Sequence, residues 1–292
     1  RQAGRGEGSA TTIPWARIFV QIASYRDPEC QWTVKDLFDK AAHPERIFVG
    51  ICWQFVDGED DSCFTQPYTR PDQVRVIEVP AGESKGVCWA RGLTQSLWQG
   101  EEYTLQIDSH MRFEPGWDRL LLQMLTDCRD ERAVLTCYAP GYTPPDQLEK
   151  KWIFGMSAKE FDKHGIFLMK GSPGFRVPHE LPEAPIPGAF FSANMMFGPS
   201  SVIRDVPYDP YLYFFGEEIT MAARLWTHGY NLYHPNKLVI YHDWNRNKRP
   251  THFSDHRDWG LTNDKSFARV RHILGTAVCD DEAIIAELDR YG

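Results

Sequence analysis

The sequence of 292 residues predicts an α/β fold in which helices flank a mostly parallel central sheet. Three short apolar segments, at 18–22, 47–53 and 74–79, are typical of strands that are covered on both faces. Segments with the 3.6-residue period of amphipathic helices alternate with them. This alternation implies right-handed crossovers, which place the strands parallel in one sheet.

The first half of the chain shows this alternation most clearly. Its predicted elements are, in order, strand 18–22, a helix from Gln31 to Ala42, strand 47–53, strand 74–79, a helix from Gly86 to Trp98, strand 103–107, a helix from Trp117 to Leu125 and strand 133–138.

The second half begins with a change of character. Between 140 and 187 prolines are frequent and periodicity is weak, which indicates a long excursion that contains one hairpin. The elements predicted after it are a strand at 188–198, a helix that begins near Glu217 and ends at His228-Gly229, strands 231–234 and 239–242, and a helical tail from Thr262 to Tyr291.

Composition limits the classes of function. Apolar residues make up 42% of the chain and charged residues 25%, an ordinary globular balance. The net charge of −8 and the lack of a basic run argue against a nucleic-acid surface, and no apolar run is long enough to span a bilayer. Seven cysteines without a CxxC pair indicate a reducing compartment, so we expect a cytoplasmic protein. We assign residues 1–12 to a disordered, Gly-rich tail and 13–292 to a single domain.

A pair of metal-capable residues follows the strand at 103–107. Asp108 and His110 are two positions apart, directly after an apolar run that alternates with polar residues. Ligands of open α/β sheets gather outside the carboxyl ends of strands. A carboxylate beside an imidazole suits Mn²⁺ or a similar divalent ion, and such an ion binds a diphosphate well.

Several segments together resemble known glycosyltransferases of the GT-A fold, which has a Rossmann-like sheet. Asp108-Ser109-His110 and the helix start Gly216-Glu217-Glu218 resemble the Asp-Ser-His and Gly-Gly-Glu-Asn motifs of polypeptide GalNAc-transferases. A closer resemblance is to the GlcNAc-transferase family that glycosylates hydroxyproline in a cytoplasmic ubiquitin-ligase subunit. It rests on Val20-Gln21-Ile22-Ala23-Ser24-Tyr25-Arg26-Asp27, Gly86-Val87-Cys88-Trp89-Ala90-Arg91 and Gln106-Ile107-Asp108-Ser109-His110-Met111-Arg112-Phe113.

The resemblance implies a retaining, metal-dependent transferase. We expect it to transfer a sugar, GlcNAc being the first choice, from a UDP-sugar to a hydroxyl of a polypeptide or glycan acceptor. The expected cofactor is Mn²⁺ or Mg²⁺. We assign Asp108, His110 and His242 to the metal, and Asp243 is the alternative to His242.

The remaining candidates surround that site. Glu217 and Glu218 are the catalytic candidates: one of them would position sugar hydroxyls, and in an inverting enzyme one would be the base. The residues assigned to the nucleotide sugar are Ser24, Arg26, Arg91, Gln106, Ser192 and Asn194. The residues proposed for an acceptor wall are Trp244, Phe253 and Trp259, for which core packing is the simpler interpretation.

Two other functions remain open at this point. A metal-dependent phosphohydrolase acting on nucleotide diphosphates also uses acids and histidines, but it usually needs a richer ligand cluster for two ions. A non-catalytic sugar-binding module would not need both a diphosphate metal site and the Glu217-Glu218 turn.

Overall fold

A computed structural model describes residues 16–292. The predicted tail at 1–12 and the first residues of the predicted domain, 13–15, lie outside the described residues, so these two assignments stay predictions. The strands are β1 (Ile18–Tyr25), β2 (Ile47–Phe55), β3 (Val74–Pro80), β4 (Tyr103–Asp108), β5 (Met111–Phe113), β6 (Ala133–Thr136), β7 (Tyr142–Thr143), β8 (Gln147–Leu148), β9 (Trp152–Phe161), β10 (Phe167–Arg176), β11 (Ile186–Pro187), β12 (Met195–Pro199), β13 (Asn231–His234) and β14 (Ile240–His242). The α-helices are α1 (Cys30–Lys40), α2 (Val87–Gln95), α3 (Trp117–Asp127), α4 (Ser201–Asp205), α5 (Glu217–Thr227), α6 (His252–Asp255), α7 (Trp259–Ile273) and α8 (Leu288–Tyr291).

The central sheet has eight strands in the order β11-β13-β6-β12-β4-β1-β2-β3. The strands β1, β2, β3, β4, β6 and β13 run in one direction, whereas β11 and β12 run against them. This confirms the predicted mostly parallel sheet. Because β1 lies between β2 and β4, the carboxyl ends of these three strands meet at one edge.

Helices cover both faces of the sheet. The core on one face joins β1 and β4 to α1 and α3, and the core on the other joins β12 and β13 to α4, α5 and α7. Successive residues of β6 show the alternation, since Val134 belongs to the second core and Leu135 to the first. The near-continuous apolar strands of the sequence reflect this burial from both sides.

The excursion contains the predicted hairpin, formed by the antiparallel strands β9 and β10. It also contains a two-residue ladder, β7 with β8, and ends in β11, which joins the central sheet beside β13. The proline content therefore accompanies several short pairings around one long hairpin.

The strand predicted at 188–198 forms only from Met195 onward. Just before it, main-chain groups bind side chains: the N–H of Ala193 donates to Glu218, and its carbonyl accepts from Gln106. The apolar run is buried from Phe191 to Gly198, but its first part is an irregular segment that is not fully buried.

The predicted helical tail is also shorter than expected. α7 ends at Ile273, and Gly275 follows with a φ of +67°, a left-handed conformation that ends helices. Arg269 then binds the carbonyls of Ile284 and Ala286, and α8 is the next helix, at Leu288–Tyr291. These carbonyls accept hydrogen bonds from a side chain instead of from the main-chain N–H groups of a continuous helix.

Candidate active site

A cavity of about 700 Å³ opens at the carboxyl edge of β1 and β4. Its walls come from the ends of these strands, from the starts of α2 and α5, from the β9–β10 hairpin and from the chain after β14. This is the size of pocket that encloses a small organic ligand. The edge is also where open α/β sheets bind ligands.

The three predicted metal ligands meet at this edge. His110 follows β4, and the antiparallel ladder of β5 with β14 pairs Met111 with His242, which brings the second imidazole beside the first. His242 Nε2 lies 3.1 Å from His110 Nε2 and 3.1 Å from Asp108 Oδ2. The ligand atoms of the three residues all lie within 4.8 Å of one another, which is compatible with one ion.

The alternative ligand, Asp243, does not join this group. Its Oδ1 accepts from the N–H of Asn245 at 3.0 Å, and Lys248 Nζ lies 3.6 Å from its Oδ2. The next residue along an extended chain faces the opposite side. The geometry therefore favours His242 over Asp243.

The proton on His110 is placed by its two neighbours. Arg249 Nη2 lies 2.8 Å from His110 Nε2, and a guanidinium can only donate, so Nε2 accepts. The ring proton is therefore on Nδ1, which donates to Asp27 Oδ2 at 2.7 Å. In many metal-binding histidines, the ring nitrogen that does not bind the metal donates its proton to a carboxylate in this way.

Charge at the site also suits a divalent cation. Burial alone would raise the pKa of Asp108, but the hydrogen bond with His242 and the charge of Arg91 hold it well below its usual range. Burial lowers the pKa of His242, which favours a neutral ring, and its Nδ1 is buried without a hydrogen-bond partner. One carboxylate and two neutral imidazoles fit Mn²⁺ or a similar ion.

Arg91 connects the metal-ligand group to α5. Gly86, at φ +111°, precedes α2, and a Cβ there would lie 2.8 Å from the carbonyl oxygen of Tyr213. The helix that follows places Arg91 Nη2 2.7 Å from Asp108 Oδ1 and Arg91 Nε 2.9 Å from Glu217 Oε1. With both carboxylates on its guanidinium, Arg91 directly orients Asp108, one of the predicted metal ligands.

The two acids that open α5 have different surroundings. Gly216, at φ +92°, precedes the helix, and a Cβ there would clash with the side chain of Val270. Glu217 is buried against Arg91, whereas Glu218 accepts from the hydroxyl of Tyr138 at 2.7 Å and the N–H of Ala193 at 3.0 Å. Burial raises the pKa of both carboxyls, that of Glu218 to about 7.

The other residues assigned to the nucleotide sugar are spread over three environments. Asn194 lines the cavity. Ser24, Gln106 and Ser192 are fully buried behind the lining residues, and Gln106 donates to Tyr208 and to the carbonyl of Ala193. Arg26 lies outside the lining and binds three carboxylates. The role of all five in donor binding stays a prediction.

Arg26 is the clearest difference from the expected layout. Its guanidinium contacts Glu59 at 2.5 Å, Asp60 at 2.8 Å and Asp255 at 3.0 Å. The residue has a φ of +48°, which turns the chain sharply at the end of β1, and its side chain does not line the cavity. Two of its partners belong to the acidic loop after β2.

The expected acceptor wall is partly assembled. Trp244 and Phe253 line the cavity, and the Trp244 ring lies 4.1 Å from that of His242. Trp259 lines a neighbouring cavity of about 510 Å³ and packs edge-on against Phe253, at 5.1 Å. Trp259 thus supports the wall from behind.

Sequence reasoning missed Asp27, Tyr138 and Arg249. Asp27 and Tyr138 follow the carboxyl ends of β1 and β6, so their position at strand ends was an available signal. Arg249 lies in an irregular segment after β14, where no periodicity marks it.

The family model of the glycosyltransferase (GlcNAc) family matches residues 17–73 and 64–292. The chain therefore belongs to this family. No curated protein matches it in sequence.

Solved structures with a similar fold include GalNAc-T7 with UDP, GalNAc and Mn²⁺, at 14% identity and a TM-score of 0.63, over 88% of this chain and 48% of that one. TarS of S. aureus with UDP-GlcNAc matches at 12% identity and a TM-score of 0.54, over 94% of this chain and 71% of the TarS chain. The mannosyltransferase PcManGT of Pyrobaculum calidifontis with GDP-Man and Mn²⁺ matches at 12% identity and a TM-score of 0.51, over 90% of this chain and 65% of that chain. At such identities the likeness shows the fold, and it confirms the predicted GT-A type. This chain spans about half the length of the GalNAc-T7 chain.

Within residues 16–292, none of the helices is both long and apolar enough to cross a membrane.

Proposed function

We propose that this member of the GlcNAc glycosyltransferase family transfers GlcNAc from UDP-GlcNAc to a hydroxyl of a polypeptide or glycan acceptor, with Mn²⁺ or Mg²⁺ as cofactor. The observation that carries the proposal is the group Asp108, His110 and His242 at the edge of a cavity of about 700 Å³. Complexes of similar folds with UDP and Mn²⁺, or with UDP-GlcNAc, support the choice of donor and ion.

Asp108, His110 and His242 would hold the ion. When bound, it supplies positive charge to the departing diphosphate. Asp27 fixes the His110 ring so that Nε2 faces the site, and Arg91 holds Asp108 from the opposite side. The protein thereby fixes the orientation of two of the three ligands before any substrate arrives.

Glu218 is the residue that we assign to the sugar end of the reaction. Both of its oxygens are held, one by Tyr138 and one by Ala193, and it lines the cavity. Its remaining lone pairs can accept from sugar hydroxyls, which positions the reacting carbon. Glu217 is engaged by Arg91 and acts as its anchor.

We assign the reaction to the retaining class, as the resemblance to the hydroxyproline GlcNAc-transferases implies. In that route the leaving phosphate oxygen takes the acceptor proton, and Glu218 positions groups. In an inverting route Glu218 would be the base, and its raised pKa would suit the task. The anomeric configuration of the product, read by NMR, decides between the two.

The test is calorimetry with UDP, with and without Mn²⁺, followed by transfer assays with UDP-GlcNAc and a panel of peptides and glycans. We expect UDP binding that depends on the ion and transfer to one acceptor class. Hydrolysis of UDP-GlcNAc at the same rate with and without an acceptor, and with no transfer, would favour the phosphohydrolase. UDP-GlcNAc binding with neither reaction would favour a sugar-binding module.

We also propose that the protein works in the cytoplasm. Support comes from its seven cysteines, all of which have free thiols in the structure. Fractionation of cells that produce the full-length protein tests this, and recovery in a secretory compartment would contradict it.

A further inference from the structure

Arg249 binds the nitrogen that the proposed metal site needs. Its Nη2 lies 2.8 Å from His110 Nε2, and its Nε lies 3.7 Å from Asp27 Oδ2, the carboxylate behind the same ring. The side chain is mostly buried, with 11% of its surface exposed. The guanidinium is therefore seated against His110 on the side that faces His242.

Two cations cannot use His110 Nε2 at once. A neutral imidazole has one lone pair, and it lies on the nitrogen without the proton. Arg249 donates into that lone pair, and a divalent ion would need the same lone pair for its bond. Repulsion between the guanidinium and a divalent ion at hydrogen-bond distance adds to the conflict.

A movement of the Arg249 side chain would not disturb the sheet, because the residue lies outside its strands. It lies between β14 and α6, in a segment whose own hydrogen bonds to Arg249 are weak: Nη1 lies 3.5 Å from the carbonyl of Asn245. Arg246 on one side of it and residues 250–253 on the other also line the cavity. Rotation of this one side chain would clear His110.

We propose that Arg249 competes with the divalent ion for His110 Nε2, so that its guanidinium must leave before the ion binds. The strength of this contact then sets how weakly the protein binds the ion by itself. The inference rests on the proposed metal site and goes beyond it, because it assigns Arg249 a role opposed to ion binding.

The experiment is titration of Mn²⁺ into the protein without nucleotide, followed by calorimetry or by the EPR signal of free Mn²⁺. Arg249→Gln should bind Mn²⁺ about 10-fold more tightly than the wild type, because no charged hydrogen bond has to be broken. Arg249→Lys keeps the charge but loses the planar fork, and its affinity should lie between the two.

The matched control is Arg246→Gln. Arg246 has the same charge, lines the same cavity and lies three residues earlier, but it is exposed and stacks over Phe214 at 5.7 Å. Its loss should change Mn²⁺ affinity by about twofold at most, since solvent screens it. Equal changes in Arg249→Gln and Arg246→Gln would overturn the proposal, because they would reflect net charge alone.

A further variant separates this proposal from the metal site itself. Asp108→Asn should abolish Mn²⁺ binding in both the wild type and the Arg249→Gln background. The metal site is wrong if Mn²⁺ binds neither the wild type nor Arg249→Gln, or if it still binds both after Asp108→Asn is added. The role of Arg249 then fails with it. If only the 10-fold gain is missing, the metal site stands and Arg249 does not compete.

Discussion

Site residues were predicted at the carboxyl ends of two neighbouring strands, β4 and β1, but the structure brings only those after β4 together in the cavity. At the end of β4 the expected residues meet: Asp108, His110 and His242 place their ligand atoms within 4.8 Å of one another. At the end of β1, Ser24 is fully buried and Arg26 binds Glu59, Asp60 and Asp255 outside the cavity lining. Both pairs come at the carboxyl end of a parallel strand.

The difference shows what a strand end does and does not specify. It puts a residue at the right edge of the sheet, but direction and partners come from elsewhere. His110 is oriented by Asp27, whereas the positive φ of Arg26 aims its side chain at acids that are distant in sequence. Asp27, one residue beyond Arg26, is the residue that faces the metal-ligand group.

The largest effect is expected for Asp108→Asn. The variant keeps the shape but loses the charge that most favours the ion, so Mn²⁺-supported UDP binding and transfer should fall by roughly 10²-fold or more. The thermal unfolding curve should stay cooperative, because Asp108 is the last residue of β4 and lies at the edge of the sheet. Calorimetry and transfer assays measure the loss.

Two neighbours of this site sharpen the assignment. His242→Ala should abolish ion-supported binding as Asp108→Asn does, whereas Asp243→Asn should retain it. The reverse result would show that Asp243 is the third ligand. Full activity of Asp108→Asn, or full activity of the wild type in excess chelator, would contradict the metal hypothesis.

Asp27→Asn should have the next largest effect. Burial would raise the pKa of Asp27, but its hydrogen bond with His110 outweighs this and lowers the pKa to about 2. The carboxylate is therefore charged at all working pH values, and its loss should weaken Mn²⁺ binding by about 10- to 100-fold. Titration of Mn²⁺ measures the change; an unchanged affinity would show that the ring needs no support.

Glu218→Gln should reveal a pH-dependent cost of burying the carboxylate. Burial raises the pKa of Glu218 from 4.5 to about 7, so the folded protein holds this proton more tightly than the unfolded chain. The resulting stability is complete below the unfolded pKa and is lost as the pH rises through about 7. The Gln side chain is neutral at every pH. The Tm of the variant minus that of the wild type should therefore rise by a few degrees as the pH is raised from acidic to mildly alkaline.

The control for this prediction is Glu160→Gln, at an exposed position of β9. Its Tm, measured over the same pH range, reports the effect of removing an exposed carboxylate. The same dependence of Tm on pH in Glu218→Gln would mean that burial does not perturb the Glu218 carboxyl. The same variants, assayed for transfer beside Glu217→Gln, test the assignment of Glu218: wild-type rates in both helix variants would make the turn purely structural.

The smallest effect is expected for Arg26→Ala. If Arg26 acts through Asp255, then UDP affinity should fall only severalfold, and Asp255→Asn should cause the same loss, since both break the contact between β1 and α6. A loss that is clearly larger in Arg26→Ala, measured by UDP calorimetry, would instead place Arg26 on the nucleotide. Unchanged affinity in both variants would remove this end of β1 from donor binding.

Much of the fold was predictable because its signals are local. The strands at 18–22, 47–53 and 74–79 are apolar runs of strand length, and each forms a strand that begins where predicted. The glycines before α2 and α5 are required by positive φ values, which few other residues adopt. In the exceptions, at 188–194 and after Ile273, several main-chain groups bind side chains, and such contacts leave no periodic pattern in the sequence.

The sequence by itself determined the sheet, the helices that flank it and the acid and histidine at the end of β4, because burial and backbone preference act on neighbouring residues. Only the tertiary structure decided which side chains share a site. The β5–β14 ladder brings His242 to His110 across 132 positions, and Arg249, Asp27 and Tyr138 arrive from three separate elements. Such contacts depend on the register and direction of distant strands, and a one-residue shift would turn each side chain to the other face.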